Sequence, residues 1–363
     1  MKQVDFLIVG QGLAGTALAW CLHFNGYSFA ILDENLPISC SKIAAGLVTP
    51  ITGKRLARSW RFAELWETAL PFYRRVEQVL GQEFFVHHPT LRLLKDEDEI
   101  ALYQHKQSDG FYRNIESTIN TWSHPEIASQ IHHALEMPQA GRLQTVPYLS
   151  ASREFFAKQH HVETTRFRWS DVEFLSSPSV QMPRYQLQAK WLILATGAQM
   201  RHMPQFASLQ FRPAKGQILT LKVPDWNDSH VLHCGFWMAP YQREQQLIRI
   251  GATYEWDLLD QTATQQGASE LLQQFESFYS KPYEVVGHQA AVRPVMKDNF
   301  PVAGVEANGL PVALLNGLGS KGTLQAPWCA GELVAHLTQQ QSLEREIDYL
   351  ARKTHRPKSP APK

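Results

Sequence analysis

The residues best suited to chemistry stand at the start of the chain, where Gly10-Gln11-Gly12-Leu13-Ala14-Gly15 follows an apolar run and opens a helix-like segment. About 20 residues further on, Ser28-Phe29-Ala30-Ile31-Leu32 ends in Asp33. In such a pattern the first glycine permits a tight turn, the second lets backbone N–H groups approach a pyrophosphate, and the third lets helix pack on strand. The phosphates then lie at a helix N-terminus, where unpaired N–H groups and the positive dipole end stabilise negative charge. Asp33, at a strand end, can accept both ribose hydroxyl hydrogens and would repel a 2'-phosphate. Its neighbour Glu34 is the alternative acceptor, better placed for solvent. Strand, spacing and acid together predict a dinucleotide site; the rival reading is a glycine-rich turn in some other α/β unit.

A second segment has the same grammar. Residues 311–315 form an apolar strand, followed by Asn316-Gly317-Leu318-Gly319-Ser320-Lys321-Gly322-Thr323 and a helix over 326–338. Between the two ends, Trp191-Leu192-Ile193-Leu194 runs into Ala195-Thr196-Gly197, small residues that let backbone come close to a cofactor. Residues 61–80 carry apolar side chains at helical spacing and predict one or two helices broken near Pro71. Strands are expected over 84–94, 217–223 and 246–253, and a meander over 162–174 and 185–188. Helices are expected over 96–107, 149–159 and 268–279.

With 363 residues, two domains are expected, each able to bury a core. The formal charge of +1 and the lack of long like-charge blocks leave no footprint for strong non-specific nucleic-acid binding. Cys21, Cys40, Cys234 and Cys329 show no metal spacing, and the paired histidines His87-His88 and His132-His133 form no metal constellation. No metal, no membrane span and a cytoplasmic location are expected. The apolar start is read as part of the mature fold, since no credible cleavage site follows it.

Five blocks in order give this sequence a resemblance to the D-amino acid oxidase superfamily of flavin-dependent oxidoreductases. They are the opening glycines, Ser41-Lys42-Ile43-Ala44-Ala45-Gly46-Leu47, the pair Arg212-Pro213-Ala214-Lys215-Gly216-Gln217 and Ile250-Gly251-Ala252-Thr253-Tyr254-Glu255, Val292-Arg293-Pro294 with its Asp298–Gly304 continuation, and residues 316–322. Within that superfamily the chain resembles glycine oxidases and the oxidase domain of the enzyme that matures the tRNA wobble uridine. The resemblance implies an α/β fold: a discontinuous Rossmann-like FAD-binding domain over 1–83, 141–205 and 294–350, plus a substrate domain on a mixed or antiparallel β-sheet over 84–140 and 206–293. Residues 351–363 read as a disordered tail.

It also implies a non-covalent FAD, an amine or amino acid substrate, and oxygen or another electron acceptor. Nucleic acid is the second-ranked partner. Cofactor contacts are expected from Gly10, Gly12, Leu13, Ala14, Gly15, Asp33, Glu34, Ser41, Lys42, Ala44, Ala45, Gly46, Val162, Ala195, Thr196, Gly197, Gly317, Leu318, Gly319, Ser320, Lys321, Gly322 and Thr323. Arg293 matches the family's carboxylate-binding arginine, whose planar fork fixes a carboxylate by two parallel hydrogen bonds; a structural ion pair is the alternative. Trp237 stands where relatives often have a tyrosine, so it can wall a pocket but offers no hydroxyl, which turns attention to Tyr241 and Tyr254. Cys40 reads as a small buried filler, and His288 as a histidine near the arginine block that merits a test.

Overall fold

In the computed structural model, residues 1–354 are described, apart from positions 125–126, 128–130, 177–178, 225, 227 and 307. Five parallel strands form the heart of one sheet: His161–Thr164, Phe29–Asp33, Lys2–Val9, Leu187–Leu194 and Val312–Asn316, in that spatial order. Their near-continuous apolar sequences fit a sheet covered on both faces, and Ile8, Ala30, Ile31, Ile193 and Leu314 are fully buried. The helix Leu13–Phe24 makes the first crossover and packs against the C-terminal helix Gly322–Gln339. Because Val9 pairs with both Leu32 and Leu194, and Leu194 with Leu314, the carboxyl ends of the strands form one rim.

A second sheet of eight strands runs Glu284–Arg293, Ala214–Lys222, Leu247–Gly251, Trp237–Gln242, Val231–His233, Thr90–Leu94, His133–Met137, Thr118–Thr121. It is antiparallel except where Val231–His233 meets Thr90–Leu94. One face is closed by the helix Gln265–Glu276 over Leu219, Leu221, Ile248 and Ile250. Alternation puts Ile218, Trp237, Gly251 and Ala291 on the other face, toward the rim of the first sheet. A three-stranded sheet, Leu47–Val48, Gly141–Leu143 and Phe85–His87, lies where the chain passes between the two.

Several sequence expectations need correction. Phe62–Leu80 is one helix with Pro71 inside it. Pro71 leaves the Glu67 carbonyl without its helical donor, but both residues face solvent, and the buried stripe Phe62, Leu65, Trp66, Ala69, Tyr73 and Val76 carries the helix through. The last long helix starts at Gly322 and contains Pro327. The carbonyl freed by that proline, on Thr323, accepts the Tyr73 hydroxyl at 2.7 Å. In place of the meander, His161–Thr164 is the edge of the parallel sheet, and only Glu173–Phe174 and Val180–Met182 continue antiparallel. The tail is helical from Tyr349 to Thr354; Arg352 anchors it by donating to Pro301 O at 2.6 Å and to both Asp298 oxygens at 2.7 and 2.8 Å. The rest of the expected tail lies outside the described residues. No helix among the described residues is long and apolar enough to cross a membrane.

Candidate active site

A cavity of about 860 Å³ runs from the rim of the parallel sheet to the open face of the second sheet. At one end the glycine turn is packed so tightly that side chains are excluded. Gly10 has φ +96°, and a Cβ there would lie 2.5 Å from Ala195 O; a Cβ on Gly15 would lie 1.8 Å from Gly10 O. Gly12 caps the helix Leu13–Phe24 with no side-chain cap, so its first-turn N–H groups face the cavity unclaimed except where Leu13 N donates to Ser41 Oγ at 3.0 Å. Gln11 Nε2 and Thr196 Oγ1 are buried without partners, and both residues line the cavity. Small residues, an uncapped helix start and orphaned polar atoms fit a dinucleotide.

Asp33 sits at its strand end as expected and already holds the turn: it accepts Gln11 N and Asn35 N, each at 2.8 Å. Arg153, absent from the sequence reading, completes this corner by donating to Gln11 Oε1 at 2.6 Å and Thr164 Oγ1 at 2.7 Å, and it lies 3.3 Å from Asp33. Its helix, Thr145–Gln159, begins earlier than expected. Glu34, Ser41, Lys42, Ala44, Ala45 and Gly46 line the same end. Lys42 Nζ is occupied by Asn35 Oδ1 and Leu36 O, at 3.0 and 2.6 Å.

At the other end the C-terminal loop is stitched to the Ala195-Thr196-Gly197 strand end. Asn316 Nδ2 donates to Gly197 O at 3.0 Å, while its Oδ1 accepts Gly317 N at 2.8 Å. Leu318, Gly319, Ser320, Lys321, Gly322 and Thr323 line the cavity, as does the start of a second helix without a side-chain cap. Burial lowers the Lys321 ammonium to about 8. His233 faces it, pushed down to about 3 by burial first and by the charges of Lys321 and Arg92. Its Nε2 lies 3.5 Å from Thr49 Oγ1. Arg92 is tied to Glu99 at 2.7 Å and to Gly53 O at 3.1 Å.

Arg293 reaches across this end from the last residue of its strand. Its guanidinium lies over Gly216, where a Cβ would come within 2.0 Å of Nη2. Nη1 donates to Thr253 O at 3.1 Å, and the group stacks 4.3 Å from the Tyr254 ring. The residue is only 9% exposed, and no carboxylate pairs with it among the described residues, so the fork keeps donors free. Trp237 lines the cavity opposite Gly251 and His233 in register, and Tyr254, 51% exposed, lines its mouth.

Five expected residues fall outside the lining. Gly15 is used in helix–strand packing. Gly317 is backed by Met296, whose Cγ a Cβ would meet at 2.6 Å. Val162 pairs with Ile31 and packs on the core. Tyr241 is four residues along the strand from Trp237, about 13 Å on, and stacks 3.8 Å from Arg249. His288 pairs with Leu219, on the sheet face opposite to Arg293. Arg92 and His233 were missed; the signal for Arg92 was a lone arginine inside the apolar strand Thr90–Leu94.

Residues 5–337 match the FAD dependent oxidoreductase family. Among solved structures, the glycine oxidase of Bacillus cereus superposes with a TM-score of 0.80 at 18% identity, covering 96% of this chain and 98% of that one. The iminodiacetate oxidase of a Chelativorans species gives 0.77 at 18% identity, covering 94% and 98%. Among curated proteins, the bifunctional protein ThiO/ThiG of Trichormus variabilis is 24% identical over 93% of this chain and 53% of its own length. The tRNA 5-methylaminomethyl-2-thiouridine biosynthesis bifunctional protein of Marinobacter nauticus is 25% identical over 92% and 55%. The chain thus spans about half the length of these curated relatives.

Proposed function

The chain belongs to the FAD dependent oxidoreductase family, and from that premise we propose that it oxidises a carboxylate-bearing amine or amino acid to an imine, which water then splits into an oxo compound and an amine. FAD, when bound, supplies the acceptor for the hydride that leaves the carbon beside nitrogen. The observation that carries this reading is Arg293: a nearly buried guanidinium with no acidic partner among the described residues, placed on the cavity wall between Gly216 and Tyr254.

In this reading the glycine turn, Asp33 and Ser41 hold the adenosine and phosphate end. Residues 318–323 hold the flavin end, with no covalent bond: the Cys40 thiol lines the cavity but burial raises it, so it stays protonated. Arg293 fixes the substrate carboxylate and therefore the position of the α-carbon. Trp237 and Tyr254 wall the pocket and exclude water. His233 stays neutral and adds no charge to repel the amine, while Lys321 supplies positive charge below about pH 8. Oxygen or another electron acceptor would complete the turnover.

Two neighbouring readings share the same arginine: a 2-hydroxy acid as substrate, or the carboxymethyl group of a modified tRNA wobble uridine. The second is supported by the likeness to the Marinobacter tRNA 5-methylaminomethyl-2-thiouridine biosynthesis protein. Anaerobic mixing of the FAD-loaded protein with matched panels of amino acids, N-substituted glycines and 2-hydroxy acids separates them. Bleaching of the flavin band by amines supports the proposal; bleaching by hydroxy acids alone, or by neither panel, overturns it.

A further inference from the structure

Past Trp237 and beyond the cavity lining, the same face of the second sheet carries a group of cations that the proposed chemistry leaves unused. Arg249 lies two residues before Gly251 on the same strand and face, about 7 Å along. It is 8% exposed, stacks 3.8 Å from the Tyr241 ring and makes a 3.4 Å hydrogen bond to Gln289 Oε1, yet its Nε is buried without a partner. Arg142 comes from the three-stranded sheet, where it pairs with Leu47, itself part of the cavity wall. Arg243 follows in the turn after Tyr241. Among the described residues, no carboxylate lies within ion-pair distance of any of the three. Burial first, and then the charges of Arg249 and Arg243, depress the Arg142 guanidinium to about 10. Arg243 is exposed, but at Arg249 and Arg142 an uncompensated buried guanidinium is costly, and a bound anion relieves that cost.

We propose that Arg249, Arg142 and Arg243, with Tyr241, form a second anion subsite, so that the amine oxidised at Arg293 carries a further carboxylate or phosphate at its far end. The inference rests on the reading of Arg293 as the first carboxylate anchor. The guanidinium of Arg293 lies at the row of Gly216 and Ala291, and Arg249 pairs with Thr220, four residues along that strand. The two anchors are therefore about 13 Å apart, more than a simple α-amino acid spans. A secondary amine with a carboxymethyl arm toward Arg293 and an anionic arm toward Arg249 spans both.

Calorimetry on FAD-loaded protein tests the subsite apart from the chemistry. In an Arg293→Met background, inorganic phosphate should bind, and adding Arg249→Met should weaken it at least tenfold, whereas Arg249→Lys should restore most of it. With Arg293 intact, N-(phosphonoalkyl)glycines and N-(carboxyalkyl)glycines of increasing length should gain at least tenfold in affinity over N-alkylglycines once the chain spans the anchors, and N-methylglycine should be indifferent to Arg249. Whichever anionic series gains more identifies the favoured anion; displacement of phosphate by a short single-stranded RNA would identify a phosphodiester. If Arg249→Met loses its FAD or fails to fold, Arg142→Met serves the same test. The proposal is overturned if phosphate binds equally with and without the arginines, fails to bind at all, or if anionic chains gain nothing over neutral ones. Bleaching by N-methylglycine without any chain-length gain would sink this subsite and leave the role of Arg293 standing.

Discussion

Replacing Arg293 by lysine keeps the charge and removes the fork, which separates geometry from electrostatics at the proposed carboxylate anchor. One of its donors, Nη1, is committed to Thr253 O at 3.1 Å, leaving Nη2 and Nε for a ligand. Lysine offers a single directed ammonium, so one charge-assisted hydrogen bond is lost, worth about 1.5–3 kcal/mol. That corresponds to a weakening of about 10- to 150-fold in binding of a carboxylated amine. Gly216→Ala should act similarly from below, because its Cβ would come within 2.0 Å of Nη2 and push the fork aside. The assay is anaerobic stopped-flow reduction of the FAD-loaded variants over a range of substrate concentrations, which yields the apparent Kd and the limiting rate separately. Flavin content should stay at the wild-type level, since Arg293 lies at the end of the cavity remote from the glycine turn. A change in Kd of less than about threefold in Arg293→Lys, with FAD retained, would show that the carboxylate is not held by the guanidinium fork.

Two further outcomes follow from the same geometry. Gly15→Ala should yield protein that does not retain FAD after gel filtration, because its Cβ would overlap the Gly10 carbonyl at 1.8 Å; full flavin retention would contradict the assigned packing. Lys321 is lowered from 10.5 to about 8 by burial, so between those values the unfolded chain binds more protons than the folded one, and stability of the apoprotein should rise with pH across that window. Urea unfolding of Lys321→Met should lack that rise, and an unchanged pH slope would remove the buried lysine as its cause.

What the sequence made legible was whatever depends on local backbone demands. The packing demands at Gly10 and Gly15 were legible because the tight turn and the helix–strand contact each exclude a side chain. The strand end at Asp33 and the second glycine loop follow the same rule. Residues brought in by register were hidden: His233 and Arg92 meet only because two strands distant in sequence pair in parallel, and Arg153 reaches Asp33 only because its helix packs beside the parallel sheet. Period-two alternation would have shown that His288 and Arg293, five residues apart, point to opposite faces. Pro71 misled for an opposite reason, since solvent can satisfy the carbonyl it frees, and the helix through Pro327 persists because the Tyr73 hydroxyl satisfies the carbonyl freed on Thr323.

If one cavity aligns a carboxylated amine on FAD through Arg293, the carboxylate must be needed for reduction of the flavin. The most direct measurement mixes anaerobic FAD-loaded protein with N-methylglycine and, separately, with dimethylamine, which is the same amine without its carboxylate. The flavin band should bleach with the first and not with the second at equal concentration. Equal bleaching by both, or bleaching by N-methylglycine that is as fast and as tight in Arg293→Met, would contradict it.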